Sequence, residues 1–260
     1  MMKALKIHIL GIKLAFAARM AYRADFFIST IIIFAGDLII PIATFLIYRS
    51  GASFPGWNLY EVLMIQGIFM FARGIASSLF FGIVWNTLLA VREGTYDLIR
   101  LKPHPTLHIG MAVSFDCENL GIVFGGIVLC IIAFLNLPAI SLMSLAAFLG
   151  MLILSIIVLV SFALIMSALV FKWVGNTRVY EIFESVVVFG QYPQTIFSKV
   201  FANLLAWIIP ISMIASIPAA VLLGKPVVGV LPAILVSILF FLLSIFFWHF
   251  MEKKYTSAGG

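Results

Sequence analysis

The sequence predicts an all-α integral membrane protein: six transmembrane helices, an N-terminal interfacial segment, a short cytoplasmic helix, and a re-entrant helical pair before the last span. Two observations lead to this prediction. Of the 260 residues, 64% are hydrophobic and only 10% are charged, whereas soluble domains carry about 25% charged residues. The mean hydropathy is +1.21, which is more apolar surface than a soluble core could bury, so the bilayer must act as the solvent.

The apolar residues are grouped into segments that are long enough to cross a membrane. A transmembrane helix needs about 20 mostly apolar residues. Six segments of roughly suitable length lie at about 26–48, 60–86, 109–135, 142–171, 178–192 and 227–250. We find no clear repeat, low-complexity tract or second domain, so residues 1–260 are expected to form a single transmembrane domain.

Residues 193–226 are apolar but are interrupted by prolines. These are Pro193, Pro210, Pro218 and Pro226. Because proline breaks or kinks helices, the region that follows Tyr192 is predicted to form two short helices that enter the membrane and return. Non-helical backbone at that depth must be buried in protein or line a cavity. A single kinked span at about 200–222 is the alternative.

Basic residues indicate which side of the membrane each loop faces, since cytoplasmic loops carry an excess of Lys and Arg. Six spans place twelve basic residues on one side and three on the other. The twelve are Lys3, Lys6, Lys13, Arg19, Arg23, Arg92, Arg100, Lys102, Lys172, Arg178, Lys253 and Lys254, and the three are Arg49, Lys199 and Lys225. Both termini, the interfacial segment 1–25 and the polar insert 91–105 are therefore predicted to be cytoplasmic. Anionic membrane lipids would attract the basic segment 1–25.

The polar insert, "VREGTYDLIRLKPHP", contains five charges, one Gly and two Pro. Gly94 disfavours a helix at its start, but from Thr95 to Leu101 the alternation of apolar and polar residues predicts a short helix, which Pro103 ends. Such an element could dock on a soluble partner and transmit motion to the two spans that flank it. On the pattern alone, a solvated turn is an equally good interpretation.

Two charged residues, Asp37 and Arg73, lie near the middle of predicted spans. A lone charge at that depth costs at least about 2.5–3.5 kcal/mol. The first span runs outward and the second inward, so both residues reach similar depth and are predicted to pair. The pair is either a structural salt bridge or a polar element of a substrate path. Glu181 and Glu184 are expected near the cytoplasmic end of the fifth span, facing partner loops or water.

The sequence lacks the patterns of several other function classes. No Gly-rich phosphate-binding loop is present, so any ATP hydrolysis belongs to another chain. Pro105 separates His104 from His108, and Asp116 and Glu118 point to different helix faces, so we predict neither a catalytic nor a metal site. Basic residues are scattered singly without a binding motif, which argues against nucleic acid as a partner.

Four stretches of the chain together carry a family resemblance. They are "GWNLYEVL" at 56–63, "REGTYDLIRLKPHP" at 92–105, "QYPQTIF" at 191–197 with "IIPISMIASIPAAVLLG" at 208–224, and "KKYTSAGG" at the C-terminus. In this order and at these spacings they resemble the ABC-2 type permeases, specifically a bacterial family of about this length with six spans. Arg100 is one departure, since the family more often has an apolar residue there.

The resemblance implies a multi-pass permease of the inner membrane that pairs with itself or with a related chain and exports a substrate. It also implies a separate ATP-binding subunit, which would hold ATP and Mg²⁺, with no cofactor on this chain. The insert would include the coupling helix that contacts this ATPase. The residues implied in coupling are Arg92, Glu93, Gly94, Thr95, Tyr96, Asp97, Leu98, Ile99 and Arg100. The region 193–226 would be re-entrant on the outer side. A secondary transporter and a membrane-embedded enzyme are the alternatives.

Overall fold

A computed structural model describes residues 2–173, 178–227 and 229–256, and over these ranges the chain forms helices and turns without a strand. The α-helices are α1 (Met2–Met20), α2 (Arg23–Asp37), α3 (Ile39–Arg49), α4 (Leu59–Ala76), α5 (Gly82–Arg92), α6 (Tyr96–Arg100), α7 (Thr106–Ala112), α8 (Leu120–Leu135), α9 (Leu142–Val170), α10 (Arg178–Val187), α11 (Lys199–Trp207), α12 (Ser216–Leu222) and α13 (Val230–Glu252). The prediction of an all-helical membrane protein is confirmed.

Within the described residues, five continuous helical segments are long and apolar enough to cross a membrane. They are Arg23–Arg49, Leu59–Arg92, Cys117–Leu135, Leu142–Val170 and Val230–Glu252. These segments correspond to five of the six predicted spans. At the remaining one, 178–192, the chain forms the ten-residue helix α10 and then a 3₁₀ turn, Val188–Gln191. That helical segment is shorter than the roughly 20 residues that a complete span requires.

The two ends of this shorter segment nevertheless contact opposite ends of the α4–α5 helix. Near its start, the Tyr180 ring lies 5.1 Å from the ring of Trp85, in the first half of α5. Beyond its end, the Thr195 hydroxyl donates to the Pro55 carbonyl (3.0 Å), just before α4 begins. The chain from 180 to 195 therefore extends along most of the α4–α5 helix.

Two of the long helices contain local irregularities with a physical cause. α2 and α3 are separated at Leu38, because Pro41 has no N–H to donate to the carbonyl four residues earlier, at Asp37. Between α4 and α5, residues Ser77–Phe81 form one turn of π-helix. The Ser78 carbonyl in this turn accepts a hydrogen bond from a residue outside the helix, the Asp116 N–H (2.8 Å).

Close packing between α4 and α8 forms one half of the helix bundle, and packing between α9 and α13 forms the other. Small residues allow α4 and α8 to approach each other, as is common in membranes. A Cβ added to Gly126 would collide with the backbone nitrogen of Phe71, and one added to Gly74 would lie 2.6 Å from the nitrogen of Val123. The backbones of these two helices are therefore in direct contact.

The proline-rich region contains two short helices, α11 and α12, rather than one kinked helix over 200–222. The chain between them includes a 3₁₀ turn at Ile211–Met213. Ser155, in the middle of α9, donates to the Met213 carbonyl (2.9 Å), and the side chains of this turn are buried. After α12, Lys225 lies 2.9 Å from Glu61 in the first turn of α4. The connection between α11 and α12 thus packs against the interior of the bundle.

We expect Gly126→Ala to destabilise the protein, since the added methyl group would force α4 and α8 apart at a cost of about 1–3 kcal/mol. The midpoint of thermal unfolding of the purified protein in detergent measures this loss. Gly150→Ala is the matched control, because a Cβ there has no neighbouring atom within 4 Å. Equal midpoints for the two variants would contradict the close approach of these helices.

Candidate functional site

Three charged side chains from three different helices meet in the interior of the bundle. Arg73 of α4 donates through Nη1 to Oδ1 of Asp37 (2.9 Å) and through Nη2 to Oε2 of Glu184 (2.7 Å). Their side chains are between 16% and 21% exposed. The planar guanidinium suits this arrangement, because its separate N–H groups can each bind a different carboxylate. We call these three residues the charged cluster.

The charged cluster contains the two residues that sequence analysis paired and one that it placed elsewhere. Glu184 was expected near the cytoplasmic interface, but α10 brings it to the depth of Arg73, 111 residues away in the chain. The sequence pattern of α10 gives no signal for this position, because Glu181 and Glu184 are three residues apart and lie on the same side of the helix. Glu181, one turn earlier, is exposed.

A polar cavity of about 340 Å³ lies beside the charged cluster. Besides Asp37 and Arg73, it is lined by polar groups of Asp116, Asn119 and Tyr180. Asp116 is held in place because its carboxylate accepts from the Glu118 N–H (3.1 Å) and from the Asn119 amide (3.0 Å). The cavity therefore offers a surface of hydrogen-bonding groups next to a charged cluster inside an otherwise apolar bundle.

The other candidate acids and histidines do not converge on a reactive centre. Glu118 turns away from the cavity and pairs with Arg19 (2.7 Å), so it ties α1 to the start of α8. His104 lies before α7 and His108 lies within it, and both are exposed. Within the described residues, no three His, Cys, Asp or Glu side chains are close enough to hold a metal ion.

The polar insert forms a compact element on one end of the bundle. Gly94, with a φ of +71°, ends α5 in the left-handed conformation that glycine adopts most easily. The five-residue helix α6 follows, and Thr95 at its start makes no capping hydrogen bond. Most insert side chains point outward. Those of Arg92, Glu93, Thr95, Leu98 and Arg100 are exposed, while Gly94, Asp97 and Ile99 are half-buried.

Tyr96 is the buried side chain of α6, with an exposure of 2%. Its hydroxyl donates to Oε1 of Glu252 at the end of α13 (2.8 Å), and the Thr106 hydroxyl donates to the same oxygen. Burial, with the hydrogen bond to Glu252 and its negative charge, raises the pKa of Tyr96 well above its usual value. The Tyr96 hydroxyl therefore stays protonated and remains a donor at any physiological pH.

Glu252 and Thr106 are functional candidates that only the structure brings into view. A weak signal was present, since Glu252 is the one acidic residue in the last span and lies directly before Lys253 and Lys254. An acid at the end of a span, where basic residues are usual, indicates a specific partner. The partner itself, Tyr96, is 156 residues away and could not be deduced from this pattern.

At the opposite end of the bundle, the proline-rich region is tied to the loop before α4. The ring of Tyr192 packs edge-to-face on Phe54 at 6.3 Å. Lys225 pairs with Glu61, donates to the Gly56 carbonyl (2.7 Å), and lies 4.4 Å above the ring of Trp57. Of the four prolines in this region, Pro193, Pro210 and Pro218 are buried and Pro226 is exposed.

The sequence of the chain was compared with models of known protein families, with curated proteins and with solved structures. A family model described as "ABC-2 family transporter protein" matches residues 21–259, which is most of the chain. This match confirms the family resemblance found in the four sequence stretches. No curated protein and no solved structure matches the chain.

Arg73→Met should destabilise the protein by roughly 3 kcal/mol, because it leaves two partly buried carboxylates without a cation. Adding Asp37→Asn and Glu184→Gln should restore most of the loss, since no unpaired charge then remains. Thermal unfolding in detergent measures both effects. Arg49→Met serves as the control, because Arg49 is exposed at the end of α3. If the triple variant is no more stable than Arg73→Met, the three residues do not form an electrostatic unit.

Proposed function

Because the chain belongs to the ABC-2 family of transporter proteins, we propose that it is the membrane-spanning permease subunit of an ATP-driven exporter. Its ATP-binding subunit, with ATP and Mg²⁺, is a separate chain. Two permease chains, identical or related, together enclose the translocation path in the inner membrane. Both termini and the polar insert face the cytoplasm, as the distribution of basic residues favours.

The observation that carries this proposal is the form of the polar insert. α6 is a short helix between two membrane-spanning segments, with Tyr96 anchored inside and Leu98 and Leu101 outside, at exposures of 62% and 81%. Two exposed leucines among charged residues suit a groove on a soluble partner that has an apolar floor and a polar rim. Arg92 and Arg100 would contact that rim.

The transport cycle follows from this placement. ATP binding brings the two ATP-binding subunits together, and each one displaces the α6 that is docked on it. α5 and α7 adjoin α6 directly, so the spans on either side tilt. The path between the two permeases then closes toward the cytoplasm and opens outward, where residues 193–226 form a re-entrant cap. The broken segment 178–197 provides the sixth crossing, which is supported by its contacts with Trp85 and Pro55.

A secondary transporter is the second candidate, and the charged cluster favours it. Ionisable groups at mid-depth beside a polar cavity are typical of substrate or ion sites in such proteins. In the exporter, the same cluster would line the path for polar groups of the substrate or hold α2, α4 and α10 together. The two candidates differ in whether an ATP-binding partner exists.

Co-purification from native membranes tests the proposal. A tagged chain should bring down a protein with a phosphate-binding Gly-rich loop, in roughly equal amount, and the complex should hydrolyse ATP. Recovery of the permease without such a partner, under conditions that preserve other membrane complexes, would contradict the exporter and favour the secondary transporter.

Leu98→Glu should lower recovery of the ATP-binding subunit at least about tenfold, because loss of an apolar anchor at an interface commonly costs 2 kcal/mol or more. The variant should fold normally, since Leu98 is exposed. Trp173→Glu is the matched control, because Trp173 is another exposed apolar side chain (49%) on the same side. Equal recovery with both variants would exclude Leu98 from the docking surface.

A further inference from the structure

Glu252 joins three separate elements at the cytoplasmic end of the bundle. It lies at the end of α13, and its Oε1 accepts from the hydroxyls of Tyr96 in α6 and Thr106 in α7. Its other oxygen lies 3.5 Å from Nδ1 of His249, one turn earlier in α13. The side chain of Glu252 is only 15% exposed. The last span is thus connected directly to the polar insert.

A cluster of aromatic rings surrounds this carboxylate and reinforces the connection. The Tyr96 ring packs edge-to-face on Phe171, which follows α9, and on Tyr255, which follows α13, both at 5.0 Å. Phe171 in turn packs on Trp248 of α13 at 5.4 Å. Because aromatic pairs of this geometry are stabilising beyond their burial, α6 is attached to the ends of α9 and α13 as well as to its neighbours in sequence.

This connection has a mechanical consequence. α6 has only five residues and one buried side chain, Tyr96, so most of its non-local attachment passes through the Tyr96 ring and hydroxyl. Separating α6 from α13 would leave the buried Tyr96 hydroxyl without a partner and would remove one of the donors to the Glu252 carboxylate, which is unfavourable. A displacement of α6 should therefore carry the end of α13 with it.

We propose that Glu252 is a positioning residue that makes the last span, α13, move with the coupling helix α6. The proposal rests on the proposed function, since it assumes that an ATP-binding subunit displaces α6. It adds a third moving span to the two that adjoin α6 in sequence. In this arrangement Tyr96 and Thr106 are the hydroxyl donors through which the motion reaches Glu252.

Hydrogen–deuterium exchange of the complete complex, with and without trapping by ATP and orthovanadate, tests this coupling. In the unaltered protein, trapping should change the exchange of residues 93–101 and also of residues 248–256. The double variant Tyr96→Phe/Thr106→Val keeps the aromatic ring at residue 96 but removes both hydroxyls that donate to Glu252. In this variant, the change in exchange on trapping should persist at 93–101 and be lost at 248–256. A merely structural hydrogen bond would not produce this nucleotide-dependent difference.

Further variants provide controls and a rescue. Glu252→Ala should behave like the double variant, whereas Glu252→Gln should retain the change at 248–256, because its amide oxygen can still accept from both hydroxyls. Tyr22→Phe, which removes the hydroxyl of an exposed tyrosine (75%), should behave like the unaltered protein.

Two contrary outcomes can be told apart. A change at 248–256 that persists in the double variant, or that is absent from the unaltered protein while 93–101 responds, overturns the role of Glu252 and leaves the proposed function intact. No nucleotide-dependent change at 93–101 in the unaltered protein overturns the proposed function, and this inference with it.

Discussion

The hydrocarbon core of a bilayer contains no water, so polar groups within the spans must find their partners in the protein. The buried serines of α9 and α13 meet this requirement locally: Ser161 and Ser237 each donate to a carbonyl one turn earlier in their own helix. Ser167 instead contacts Thr87 of α5 at 3.0 Å, so it links two helices. The charged cluster meets the same requirement for the most costly groups, through two ion pairs that share Arg73 and join three helices.

The same constraint determines where the helices can be irregular. The break at Leu38 lies beside Asp37, and the π turn at Ser77–Phe81 presents the Ser78 carbonyl to the backbone of Asp116. Both irregularities adjoin the polar cavity, which is lined by Asp37 beside the break and by Ser77 and Phe81 of the π turn. On its other face, α4 packs against α8 through its own Gly74 and through Gly126 of α8. The bundle thus combines a rigid, close-packed interface with a polar, irregular one on the same central helix.

The two ends of the bundle are stabilised differently. At the end that carries the polar insert, aromatic rings and the Glu252 carboxylate bury one face of α6, while Leu98 on its other face is exposed. At the opposite end, Lys225 connects the end of the proline-rich region to Glu61 and Trp57 at the start of α4. Each end therefore attaches a short, irregular element to a long helix through one charged side chain.

Membrane insertion, five long helices and the family could be predicted from the sequence, because hydrophobic length and local motifs are properties of contiguous residues. The similar depth of Asp37 and Arg73 in the membrane could also be predicted, because each lies near the middle of its span and the two spans run in opposite directions. The shortness of α10, the inward position of Glu184 and the link from Tyr96 to Glu252 could not be deduced in this way. These features depend on contacts between residues more than a hundred positions apart, and only the packing of the helices decides which polar groups meet.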